Sequence, residues 1–177
     1  MNITFYGILI MKSYKLSEGE RELAYTGMDL INKALIIAKK RYEMYKNISK
    51  VMEEDFKIAI VANILVRSVE KNIDYYEKLK LELENDDDEI DFHTYDKISF
   101  LFNKFSQRFE NPVIKDIDEF LRFSLDFENQ VVAFYIDIQG RLVKKAEDTE
   151  KKAYKILSSI IEEKQKHINN LQMFIKK

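Results

Sequence analysis

From Met28 to Ile48 apolar side chains recur at steps of three and four residues: Leu30, Ile31, Leu35, Ala38, Tyr42, Tyr45 and Ile48. The same period returns from Ile58 to Leu79, through Val61, Ala62, Leu65, Val69, Ile73 and Tyr76. That spacing places the apolar side chains on one stripe of an α-helix. With only four Gly and one Pro in 177 residues, the chain lacks the turns that an all-β fold needs. The expected fold class is all-α.

The breaks in the pattern set the element boundaries. A first helix is expected over about 27–50, a polar turn at Met52–Asp55, and a second helix over about 54–83. Short connections between long helices imply antiparallel neighbours. Seven of the ten residues from Glu82 to Asp91 are acidic, which reads as a solvated loop. As a calcium site it lacks the Gly and the alternating ligands. His93–Phe109 is rich in Phe and is expected to form a short packed segment across the bundle end, with His93 on the surface. Pro112 suits the first turn of a third helix, about 112–143, and Ala146–Thr149 a capped turn before a fourth, about 149–175. The expected organisation is an extension over 1–26 and a four-helix bundle over 27–177. The bundle comprises a hairpin at 27–83, an acidic and aromatic connection at 84–111, and a hairpin at 112–177.

Residues 1–10 hold an apolar run, Phe5–Ile10, too short to span a bilayer and without the flanks of a cleaved leader. Met11 offers a second translation start, and Ser17–Glu20 has capping-box spacing. A net charge of −2 without a basic stripe argues against nucleic acid. The absence of cysteine removes disulfides and thiolate metal sites, and a cytoplasmic, non-membrane protein is the expectation.

Two segments carry chemical information. Glu128 stands seven residues before Tyr135, and about thirty residues later the Glu163–His167 segment ends in His. The two hairpins align as degenerate copies, Ala38–Tyr45 with Glu128–Tyr135 and Val69–Ile73 with Lys164–Ile168. At these residues the chain resembles the rubrerythrin-like branch of the ferritin-like di-iron carboxylate family, over about 28–80 and 115–175. The resemblance implies a ferritin-like four-helix bundle. Such sites take one Glu from each of two helices and Glu-x-x-His from each of the other two. Three residues is close to one helical turn, so Glu and His then project side by side toward a shared metal.

Carried over by position, the six ligand slots fall on Ala38, Val69, Asn72, Glu128, Lys164 and His167. Only Glu128 and His167 keep a ligand type. A lysine at 164 would repel iron, and the expected outcome is a Glu128–Lys164 ion pair with His167 nearby. The chain is then a scaffold or interaction module without a cofactor, expected to form a homodimer. An alternative shifts the register: Glu163 and His167, with Glu128 and either Glu70 or Asp74, would make a mononuclear iron site. On that reading the protein is a peroxidase or oxidase fed by a separate electron donor. Tyr42, Tyr45 and Tyr135 are expected in the core. No nucleophile–base pair, phosphate-binding loop or dinucleotide fingerprint appears.

Overall fold

The computed structural model describes residues 25–84, 88–109 and 112–175. The Ser17–Glu20 motif and the Phe5–Ile10 run lie outside them. Five helices carry nearly all of the described chain: α1 (Gly27–Val51), α2 (Phe56–Glu82), α3 (Phe92–Ser106), α4 (Ile117–Leu142) and α5 (Lys152–Ile175). A 3-10 turn, Ala146–Glu150, joins α4 to α5. Two-residue strands, β1 (Tyr25–Thr26) and β2 (Glu89–Ile90), pair antiparallel. The chain is all-α. Among the described residues no helix is long and apolar enough to cross a membrane.

Each helix start has a local cause. Thr26 accepts from the Met28 N–H at 3.2 Å, while Asp29 reaches back to the Thr26 N–H at 3.0 Å, closing a capping box on α1. Asp55 accepts from the N–H groups of Lys57 and Ile58 at 3.1 and 3.2 Å and opens α2. Asp91 caps α3 through the Thr94 N–H, and Asp116 caps α4 through that of Glu119. The third long helix therefore starts at Ile117 rather than at Pro112. Asp116 supplies the side-chain acceptor that a helix N-terminus needs, and proline has none.

The acidic stretch is not simply solvated. Asp88 accepts from the Lys152 N–H at 3.2 Å, at the start of α5, and Asp91 pairs with Lys144 at 2.6 Å. The contact with Lys144 and the cap to Thr94 hold the Asp91 carboxyl well below its usual range. Asp148, in the turn between α4 and α5, accepts from the N–H groups of Lys144 and Lys145 at 2.9 and 3.1 Å. The acidic loop thus anchors one end of the α4–α5 hairpin.

α1 and α2 pack along their length, as do α4 and α5, and the two hairpins meet through α1 with α5 and α2 with α4. The aromatic connection is more than a short crossing segment. It forms the full helix α3, which rests on α4: the Phe105 ring stacks on Phe134 at 4.3 Å and Phe102 meets it edge-on at 4.9 Å. Phe109 continues the contact to Phe127, and Lys40 of α1 donates to the Ser106 carbonyl at 2.8 Å. His93 is exposed.

Phe134 is buried, whereas Phe100 of α3 is 65% exposed. Phe134→Ala is expected to lower the unfolding free energy by about 3–5 kcal/mol in urea denaturation. Phe100→Ala is expected to stay within about 0.5 kcal/mol of the parent. Equal effects at the two positions would mean that α3 does not dock on α4 through this face.

Candidate functional site

The described residues place one polar cluster at the middle of the bundle, with a piece from each long helix. Arg41 and Tyr45 come from α1, Asn72 from α2, Glu128 from α4 and Lys164 from α5. Each sits on the inner stripe of its helix. Arg41, Glu128 and Lys164 are at most 2% exposed, and Tyr45 is fully enclosed.

The Glu128 carboxylate is the hub. Arg41 Nη2 donates to its Oε1 in a close ion pair, and the Tyr45 hydroxyl donates to the same oxygen at 3.2 Å. Lys164 Nζ lies 3.5 Å from the second oxygen and donates to Asn72 Oδ1 at 2.7 Å. The ion pair expected between Glu128 and Lys164 is present, but the closer partner of Glu128 is Arg41. Sequence reasoning gave Arg41 no role. The signal was available: Arg41 falls four residues before Tyr45, on the apolar stripe that includes Ala38 and Ile48, where a charge demands a buried counter-charge.

Electrostatics follows from one anion held between two cations. Burial works against the charge on Glu128, but Arg41 and Lys164 outweigh it and lower its pKa to about 2. Burial also works against Arg41, yet Glu128 keeps its pKa raised. Lys164 is the weaker cation: burial, then repulsion by Arg41, lowers its pKa to about 7 despite the pull of Glu128. With all three charged the cluster carries a net +1, and loss of the Lys164 proton makes it neutral. Asn72 Oδ1 remains an acceptor for Lys164 in either state.

Three phenols enclose the cluster. Burial, reinforced by the Glu128 charge, raises the pKa of Tyr45. Tyr76 and Tyr135 are raised by burial as well, and the Tyr76 hydroxyl sits beside that of Tyr135 without reaching hydrogen-bond geometry. Tyr42 is only half-buried and packs at the edge of the core.

Of the remaining slots, Ala38 and Val69 are buried and apolar, one turn from Arg41 and Asn72 on the same inner stripes. His167, one turn beyond Lys164, turns to α2 instead of to Glu128: its Nδ1 lies 3.1 Å from Ser68 Oγ. Its Nε2 is buried without a partner. Burial lowers the imidazole pKa against the pull of Glu128, and Lys164 and Arg41 add to the shift.

The shifted-register set is not brought together. Glu163, Glu70 and Asp74 are all exposed, and Glu163 pairs with Lys166 at 3.8 Å on the outer face of α5. Among the described residues no group of three or more His, Asp or Glu side chains is close enough to hold a metal ion. The donor set itself does not fit a di-iron centre. A dication at the hub would face Arg41 and Lys164 with a single carboxylate to balance it, whereas two divalent irons need about four.

Comparison of the chain with protein-family models, with curated proteins and with solved structures returns no match.

Two measurements probe this cluster. Glu128→Gln leaves two buried cations without their anion and is expected to cost about 3–5 kcal/mol in chemical denaturation. The second concerns pH. Lys164 has its pKa lowered on folding from 10.5 to about 7, so the unfolded chain binds more protons between those values. The contribution of Lys164 to stability therefore rises with pH from about 7 toward the unfolded value. That rise, read from urea midpoints, is expected to vanish in Lys164→Met. An unchanged pH profile in the variant would place the titrating group elsewhere.

Proposed function

We propose that the chain is a ferritin-like, rubrerythrin-related bundle in which a fixed ion cluster stands where a di-iron site would lie, and that it works as a non-catalytic scaffold or interaction module. The observation that carries this reading is the Glu128 carboxylate held between Arg41 and Lys164 at mid-bundle. Its position matches the slots inferred from the family pattern, and its charges run opposite to those that iron requires. Asn72 and Lys164, two further slots, are bonded to each other. The lack of cysteine supports a cytoplasmic setting.

The oxidoreductase alternative has less support. It needs Glu163, His167 and Glu128 around one iron, but Glu163 faces solvent and His167 is engaged with Ser68. A phenol acting as a redox group would need such a metal beside it. Fold analogy alone does not carry catalysis.

Protein grown with added iron is expected to retain less than stoichiometric metal after purification, measured by elemental analysis. Its melting temperature is expected to be indifferent to a chelator. Stoichiometric iron that His167→Ala abolishes, or peroxide turnover by iron-reconstituted protein, would overturn the proposal.

A further inference from the structure

We propose that the groove between α2 and α5 beside Ser68 and His167 binds an apolar monocarboxylate, its chain against Ile64, Leu171 and Met173 and its carboxylate at Arg67 and Lys71. The inference rests on the interaction-module reading and deepens it by naming a ligand class. Its test does not involve the core.

α2 and α5 run antiparallel where they meet. Ser68 lies against His167, and one turn on, Asn72 lies against Lys164. Outside the Ser68–His167 contact the two helices leave a groove of about 630 Å³. That volume falls in the range of small-ligand sites, about 300–1,000 Å³. Ile64 and Met173 stand on its two sides and are 52% and 66% exposed, with Leu171 buried beneath them. Large apolar groups facing one another across a concave surface leave apolar area in water that a ligand chain would cover.

The other part of the groove is cationic. Arg67 and Lys71 line it, and no carboxylate does. Both are exposed, and neither takes part in an ion pair among the described residues. The neighbouring acids of α2, Glu70 and Asp74, stand outside the groove. Like charges four apart on a helix are unfavourable, and an anion held between them removes that cost. Arginine adds the planar donor fork that a carboxylate accepts in two parallel bonds. His167 brings no further cation, because burial holds its imidazole below the ordinary value.

The order of these groups along α2 gives the ligand its shape. Ile64 precedes Arg67 by three residues and Lys71 by seven, so the apolar and cationic ends lie about 10 Å apart. An aliphatic chain of octanoate size spans that distance. A bare anion would leave Ile64 and Met173 uncovered, and a neutral chain would leave the two cations without a counter-charge.

Titration calorimetry on the full chain tests this with octanoate, acetate and octanol. Octanoate is expected to bind saturably, acetate not at all, and octanol roughly tenfold more weakly than octanoate. Arg67→Gln and Lys71→Gln are each expected to weaken octanoate roughly threefold, and the double variant roughly tenfold. Ile64→Glu puts a carboxylate in the apolar part and is expected to abolish binding. All three side chains are exposed, so circular dichroism melts should stay near the parent value. The two histidines locate the ligand by NMR: octanoate is expected to shift the ring resonances of His167 and to leave those of His93, on α3, in place. Absent binding, octanol binding as tightly as octanoate, or shifts at His93 alone would overturn the proposal. So would a parent that sediments as a dimer and that Ile64→Glu dissociates, which would give the groove to a second copy. Absent octanoate binding in an iron-free protein would leave the reading of the core standing. Octanoate binding by an iron-loaded protein would do the reverse.

Discussion

The whole bundle is organised around one buried carboxylate. Glu128 is fully enclosed, and an isolated carboxylate in that position would shed its charge or unfold its surroundings. It remains ionised because Arg41 closes on one oxygen and Lys164 faces the other. Their anchors lie on three different helices, so the cluster forms only when α1, α4 and α5 are in register. Asn72 adds α2 through Lys164. A core of leucine and isoleucine tolerates a one-turn slide far better than this arrangement does. The polar cluster therefore supplies alignment more than net stability, which buried ion pairs often fail to provide.

The two cations are unequal, and the difference has a geometric source. Arg41 presents a planar donor group in close contact with Glu128, with Tyr45 on the same oxygen. Lys164 stands farther off at 3.5 Å and uses its short contact on a neutral amide. A single anion cannot balance both, and the less tightly held ammonium is the one whose proton is easier to lose. His167 extends the asymmetry. Facing Ser68, it stays outside the charged cluster and adds no third cation to it.

Much of this could be read from the residues. The three- and four-residue periods placed α1 and α2 within a few residues, and the pairing of hairpins followed from short turns. Glu128, Asn72 and Lys164 were selected by position and meet in the core. What escaped was set by tertiary contact. Arg41 was passed over because long charged side chains usually reach solvent from the edge of a helix. Nothing local distinguishes Arg41 from Lys39 or Lys40 except its phase on the apolar stripe. α3 was underestimated because its phenylalanines occupy both faces, Phe102 inward and Phe100 outward, which blurs the helical period. The start of α4 was misplaced because Pro112 is a conspicuous marker, while the cap at Asp116 is one acidic residue among several.

Inner and outer faces of α2 obey the same rule at different dielectric. On the inside, Asn72 gives Lys164 its shorter contact, at 2.7 Å beside the 3.5 Å one to Glu128, and a mismatch there would cost several kcal/mol because water is absent. On the outside, Arg67, Glu70, Lys71 and Asp74 are solvated, so a mismatch costs little in the isolated chain. Random placement is therefore permitted on the outer stripe in a way that it is not within.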